Sequence, residues 1–442
     1  MTKTLERFDT PNQLPKQAQV VIIGGGIVGV SAALTLAERN ISVVLIEKGH
    51  VAGEQSSRNL GWIRKTSRHH DDVPLALAAD RLWASMSERL GRDVGYRQAG
   101  IMFLAQNDEQ MAAHERWLAS VQGLNLDSRL LSPQEIDTMV QGGRGQWRGG
   151  IFTPSDGRAE PAIATSAMAQ AAVRKGAVIV QQCAVRTLST AAGKVSGVVT
   201  ERGEIQCEQV LLAGGAWSRR FLANVGVSLP TLPLICSVMR TKPMAGPTDI
   251  AVGAPNFSFR KHHDGGFVIT QRGALDAPLS LDHLLIGHRY LNQLKTQRGF
   301  LRIKFGRYFV QDLRLARRWR LGHRSPFEQI RTLNPPHNEA LNHEAMTNLG
   351  QAWPAFAKAE VDEAWAGLID VTPDSNPVID RIAALPGLTI ATGFSGHGFG
   401  TGPAAGHLAA DLVSDHFPII DPKPYRFSRL GSHGLNLCTD LE

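Results

Sequence analysis

An almost wholly apolar run from Gln19 to Ile23 is followed by Ile27, Val30, Leu34 and Ala37, and then by a second apolar run from Val43 to Ile46. The two runs read as strands buried on both faces. The residues between them, spaced three and four apart, read as a helix that stops at Asn40. The same reading puts strands at Ala177–Gln181, Val195–Thr200, Gln206–Leu212 and Leu388–Ala391, and a helix from Pro403, with proline at its first position. Asn256 to Gly273 reads as a hairpin turning at Asp264-Gly265-Gly266. From Phe300 to Leu313, apolar residues (Leu301, Phe305, Tyr308, Phe309, Leu313) fall at helical spacing with basic residues between them. That spacing predicts an amphipathic helix.

The turn that joins the first strand to its helix is Gly24-x-Gly26-x-x-Gly29, and the second strand ends in Glu47. Glycines here permit a tight turn and a close backbone approach to a pyrophosphate, whose charge sits on the helix N-terminus. An acid at Glu47 accepts hydrogen bonds from a ribose and disfavours a 2′-phosphate. This leaves NAD and FAD. A nicotinamide dehydrogenase would continue with further strand–helix–strand units, whereas this chain continues with the polar loop "GEQSSRNLGWIRK". A second glycine-rich turn, Gly393 to Gly402, precedes the late helix and provides positive backbone dipoles for a group that gains negative charge, as the flavin pyrimidine edge does on reduction.

The 442 residues suffice for two domains, and a 43% hydrophobic, 20% charged composition is that of an ordinary globular protein. No run approaches the ~18 apolar residues of a membrane-spanning helix, and the first 17 residues mix charges without an apolar stretch. Four cysteines (Cys183, Cys207, Cys236, Cys438) show no C-x-x-C spacing and read as reduced thiols. The expected location is cytoplasmic. The net charge of +7 is local: His288–Arg324 holds eleven Lys/Arg against Asp312 alone, so the remaining residues sum to −3. That argues against nucleic-acid binding. The basic segment, 300–320, reads either as a membrane-surface helix or as a helix packed on a sheet with a solvated basic face. No metal-ligand cluster or catalytic triad stands out, and His69-His70-Asp71-Asp72 and His262-His263 read as solvated loop positions.

Taken in order, the fingerprint, "SSRNLGW", "AGGAWS", "WAGLIDVTPDSNPVID" and "GFSGHGFGTGP" resemble the D-amino-acid oxidase family of FAD-dependent oxidoreductases, which includes glycine and sarcosine oxidases, D-amino-acid dehydrogenases and γ-glutamylputrescine oxidase. The resemblance implies an α/β fold: a Rossmann-like FAD-binding domain from about 1–85, 150–225 and 361–442, and a discontinuous α+β substrate domain with a large, mainly antiparallel sheet from 86–149 and 226–360. It implies FAD contacts at Gly24, Gly26, Ile27, Gly29, Glu47, Lys48, Ser56, Ser57, Arg58, Asn59, Val185, Gly214, Trp217, Gly396, His397, Gly398 and Phe399. Neither the loop histidine nor the late cysteine that attaches FAD in some relatives is present, so FAD is expected to be non-covalent.

The implied reaction is oxidation of a C–N bond in an amino acid or amine, a secondary amino acid such as pipecolate or proline included. Hydride passes to the flavin and the imine hydrolyses, with O2 or a membrane quinone as electron acceptor. Relatives specific for amino acids carry arginine where this chain has Ile369, followed by Asp370. An apolar side chain cannot form the bidentate pair that arginine offers a carboxylate. Either the substrate is an amine without a carboxylate, a polyamine derivative for instance, or another cation holds the acid, with Arg64 the candidate beside Trp62 and His397. Pro373 and Asp374 read as turn residues. A flavin-binding protein without turnover is the remaining alternative.

Overall fold

The computed structural model describes residues 11, 13–145, 147–291, 299–320 and 323–431; Cys438 lies outside them. Strands Val20–Ile23 and Val43–Ile46 and helix Ile27–Glu38 form as the spacing predicts. They belong to a six-stranded sheet in the order 378–381, 388–392, 209–212, 20–23, 43–46, 178–180, parallel except at the 378–381 edge. Side chains alternate across it. Val20, Ile22, Val43 and Leu45 point into a core shared with helices 27–38, 73–84, 161–174 and 398–413. Val21, Val44 and Ile46 point the other way, toward Val185, Leu188, Val198 and Ile205 of a three-stranded antiparallel sheet. The continuous apolar runs are thus strands covered on both faces.

A second sheet of ten strands among the described residues runs 301–304, 275–278, 232–241, 267–270, 258–261, 251–253, 101–105, 149–153, 129–131, with 361–371 paired to 232–241. It is mainly antiparallel, as the resemblance implies. Strand Val361–Val371 lies in this sheet, paired along its length (Leu234 with Ile369, Cys236 with Gly367), and Gly149–Thr153 lies there too. An aromatic core of Trp147, Phe257, Phe259, Phe267, Trp353 and Phe356 covers one face.

Three elements differ from expectation. The late helix is Gly398–Val413 and holds Pro403 in its interior. Glycines at 398, 400 and 402 disfavour helix by propensity, but packing requires them: a Cβ at Gly400 would lie 2.8 Å from the Trp62 carbonyl oxygen, and one at Gly402 would lie 2.8 Å from the Ile27 side chain. The expected 206–212 strand is two, Gly203–Gln206 and Gln209–Leu212, and they enter different sheets. The predicted 300–313 helix is a strand, Leu301–Lys304, then a shorter helix, Arg307–Arg314. Leu-Arg-Ile-Lys alternates with period two, and the strand pairs in parallel with 275–278.

The hairpin forms as strands Ser258–Lys261 and Phe267–Thr270. His69 and His70 are exposed, but His262 is not a solvated loop residue. Its ring meets Glu160 Oε2 at 3.1 Å and Asp264 Oδ1 at 2.8 Å. Among the described residues, no helix is long and apolar enough to cross a membrane.

Candidate active site

A cleft of about 1260 Å3 opens where the parallel strands end, lined by Gly24, Gly26 and Ile27 after the first strand and by Glu47 and Lys48 after the second. Gly214 and Trp217 line it after strand 209–212, and Gly396, Gly398 and Phe399 after strand 388–392. Ser56, Asn59 and Val185 complete the predicted members, while Ile369 and Asp370 arrive from the large sheet. Parallel strands bring their C-terminal ends together, so residues far apart in sequence meet there.

The glycine turn admits nothing larger. Gly24 has φ +112°, and a Cβ on it would lie 2.4 Å from the Ala213 carbonyl oxygen. The Ile27 amide donates to Ser56 Oγ at 2.9 Å, so Ser56 sits on the free end of the first helix. Glu47 accepts from the Gly25 and Gly49 amides, each at 2.7 Å. Burial raises its carboxyl, and Lys48 and those amides hold the rise in check. Bare glycine backbone at a helix N-terminus with a fixed carboxylate at the next strand end is the donor and acceptor set that a pyrophosphate and a ribose require.

Some predicted contacts serve other ends. Gly29 packs against the Gly24 carbonyl, where a Cβ would lie 2.0 Å away. Neither Ser57 nor Arg58 lines the cleft: the Arg58 guanidinium donates to the carbonyls of Gly53, Leu333 and Ala366 and to Asn334 Oδ1, tying the loop to the large sheet. Trp217 donates its indole N–H to Glu54, and Lys48 lies over its ring at 4.4 Å. Glu54 also accepts from Lys48 Nζ and the Leu333 amide, a junction not singled out in the sequence. Asp374 has the turn role expected of it, held by Arg429 Nε at 2.7 Å and accepting from the Asn376 amide. Asp370 accepts from the Gly393 amide at 2.6 Å and from Thr392 Oγ1, and burial raises its carboxyl.

With this geometry, residues 19–412 match the FAD-dependent oxidoreductase family. The chain belongs to that family. L-Amino acid deaminase from Proteus myxofaciens, solved in complex with anthranilate, is 32% identical and superposes with a TM-score of 0.93 over 97% of both chains. L-Proline dehydrogenase from P. horikoshii is 25% identical, with a TM-score of 0.76 over 94% of this chain and 99% of that one. Mitochondrial sarcosine dehydrogenase of Mus musculus is 24% identical over 95% of this chain, which spans 42% of that protein's length. In this FAD-dependent oxidoreductase the cleft lies at the C-terminal ends of the parallel strands.

Trp62, Arg64 and His397 are not among the residues that line the cleft. The first loop returns beside it, against helix 398–413, where a Cβ on Gly400 would lie 2.8 Å from the Trp62 carbonyl oxygen and 3.7 Å from the Arg64 amide nitrogen. Strand Trp62–Ile63 pairs with Gly157–Arg158 and leads into Arg64, and the Trp62 ring packs edge-on to Phe103 at 5.5 Å. Arg64 lies over the same Phe103 ring at 5.6 Å and donates to the Thr66 carbonyl. No carboxylate pairs with Arg64 among the described residues. Asp156 is taken by Lys65 and Thr66, and Asp72 by Arg68. Burial, with Arg68 and Arg272 adding, lowers the Arg64 pKa to about 9, which leaves it a cation at neutral pH. His397, the N-cap of helix 398–413, is pushed well below its ordinary value by burial and then by Arg68 and Arg64, so it stays neutral. Ile369 is buried, in register with Leu234.

Proposed function

We propose that this enzyme oxidises the C–N bond of a small amino acid, with Arg64 receiving the substrate carboxylate. The observation that carries the reading is Arg64 itself, a partly buried guanidinium without an ion-pair partner among the described residues, on the loop that packs against Gly400 and close enough to His397 to depress its pKa. A buried cation costs several kcal/mol unless an anion compensates it, and the carboxylate of an amino acid supplies one. That accounts for the absence of arginine at Ile369: the acid-holding cation comes from the first loop instead. A Proteus neighbour solved with anthranilate, itself an aminocarboxylate, supports acid recognition, and neighbours named for L-amino acids and L-proline support the L-configuration.

FAD bound in the cleft would supply the two-electron acceptor for hydride from the carbon beside nitrogen. Gly24, Gly26 and Ser56, whose hydroxyl accepts from the Ile27 amide and keeps its own proton to donate, would face the pyrophosphate, Glu47 the ribose, and Gly396 and Gly398 the pyrimidine edge. Arg64 orients the carboxylate, and Trp62 and Phe103 form an apolar wall. His397, held neutral, adds no titrating charge, so the substrate's own ammonium is the group that must lose its proton before hydride leaves the carbon beside it. The imine product, released to water, hydrolyses to an oxo acid. The FAD domain carries the parallel sheet and the substrate domain the large one. We infer that FAD is held without a covalent bond: among the described residues the cleft lining includes no cysteine, and its histidine, His50, follows strand Val43–Ile46 and Glu47, on the ribose side rather than in the loop after it.

Electrons then leave to O2 or to a membrane carrier. Seven of the ten exposed large apolar side chains described fall between Leu284 and Leu313, within or beside the basic segment. That concentration favours peripheral membrane contact and a membrane acceptor.

Anaerobic mixing of the FAD-loaded protein with L- and D-amino acids, proline, pipecolate and carboxylate-free piperidine and diamines tests the reading. Bleaching by the acids alone supports it, whereas bleaching by the amines alone would assign the enzyme to amine oxidation and remove Arg64 from its role.

A further inference from the structure

A second cation meets the same aromatic ring as Arg64. Arg272 follows strand Phe267–Thr270 of the large sheet, and its guanidinium carbon lies 4.2 Å from the centroid of the Phe103 ring that Arg64 also meets. The two charges therefore sit within about 10 Å of each other. Arg272 donates one hydrogen bond, to the Ala254 carbonyl at 3.3 Å, and has no ion pair among the described residues. Burial alone lowers its pKa, to about 10. Both arginines are partly buried and keep some of their surface accessible. His114 lies on the Arg272 side, with burial and then that cation lowering its pKa to about 4, so it contributes no charge.

A guanidinium offers five N–H donors in a planar fork, and each of these spends one on a backbone carbonyl. Two enclosed cations facing one apolar ring repel each other and lose hydration, an arrangement that persists where anions complete it. One bidentate carboxylate neutralises one fork. Resting on the amino-acid reading above, we propose that the substrate is an amino dicarboxylate, with one carboxylate on Arg64 and the other on Arg272. The two forks arrive from different sheets, so the diacid is held between the first loop and the large sheet with its reacting carbon toward the Gly396 turn.

The test titrates the FAD-loaded protein with unreactive acids, following the perturbation of flavin absorbance: succinate and glutarate against butyrate and valerate. The same protein is then mixed anaerobically with aspartate, glutamate and iminodiacetate against alanine and norvaline. The diacids are expected to bind at least about tenfold more tightly than chain-matched monoacids, a factor set by one charge-assisted pair. Arg272→Met should abolish that advantage while changing monoacid binding less than about threefold, and Arg64→Met should weaken both. Arg272→Lys, which keeps the charge without the fork, should restore part of the advantage; it also serves if the methionine variant does not fold. Diacids binding no more tightly than monoacids would overturn the proposal, as would Arg272→Met weakening both classes equally, the mark of one carboxylate bridging both arginines. If diacids bind tightly but no amino acid reduces the flavin, the dianion site stands and the oxidation reading falls. If amino acids reduce the flavin without preference for diacids, the oxidation reading stands and this inference falls.

Discussion

Replacing Glu160 with glutamine should destabilise the protein by about 3–5 kcal/mol, the cost of leaving a buried charge without its partner. Glu160 accepts from Arg260 Nη1 at 2.5 Å and Nη2 at 2.9 Å and from the His263 amide at 3.0 Å, with its side chain 3% exposed and that of Arg260 1%. At such burial solvent screens little. Burial pushes the carboxyl up, but the Arg260 guanidinium, with His262 and His263, overrides it and leaves the group well below the usual carboxylate range. The stabilisation is therefore complete above the unfolded value, near pH 4.3, and is lost as pH falls below it. Arg260 Nε also donates to the Leu60 carbonyl at 2.6 Å, so the pair anchors the loop that presents Trp62 and Arg64. Urea unfolding of Glu160→Gln and of the double variant Glu160→Met/Arg260→Met gives the measurement. The single variant should lose the full amount, and the double variant should recover most of it, because an apolar pair leaves no orphaned charge. A single variant within about 1 kcal/mol of the parent would refute the argument that the pair is desolvated.

Glu47→Gln puts an amide N–H against one of two backbone donors and should weaken FAD binding by about 1.5–3 kcal/mol, roughly 10- to 150-fold, in a fluorescence titration of the apoprotein; a change below about threefold would remove Glu47 from the ribose site. Denaturation should release all the flavin into the protein-free filtrate, and yellow colour retained on the unfolded chain would show a covalent bond. Since His397 is held neutral, flavin reduction should rise with pH as substrate ammonium loses its proton. An inflection near the ordinary histidine value of 6.5 that disappears in His397→Asn would contradict this. Leu284→Ser/Phe305→Ser should reduce sedimentation with anionic vesicles without altering flavin reduction by substrate. Equal sedimentation of parent and variant would exclude that surface as the contact.

What the chain shows about itself depends on how local each signal is. The Gly24–Glu47 unit was legible because strand, turn, helix and terminal acid lie within about thirty residues and each has its own spacing rule. The start of the late helix was not, because glycines at 398, 400 and 402 argue against helix until Trp62 and Ile27 are seen packed against them. The 300–313 stretch satisfies helical and alternating patterns together, and pairing with 275–278 decides for a strand at its start. Arg58 carries a motif position but spends its donors on carbonyls some 275 and 308 residues away. Arg272 bears no local mark at all; only the fold sets it against Phe103 and Arg64. Pairings such as Arg260 with Glu160, 100 residues apart, are equally silent in one sequence.

The central claim is that this cleft holds FAD and uses it to oxidise an amino acid whose carboxylate meets Arg64. Its most direct test is anaerobic flavin reduction by L-amino acids in the parent and in Arg64→Met, with the oxo-acid product quantified. The account predicts bleaching with stoichiometric oxo acid in the parent, and in the variant a loss of apparent affinity for acids with FAD still bound. Bound flavin that no amino acid or amine reduces, or an Arg64→Met variant that reduces as readily at the same substrate concentration, would contradict it.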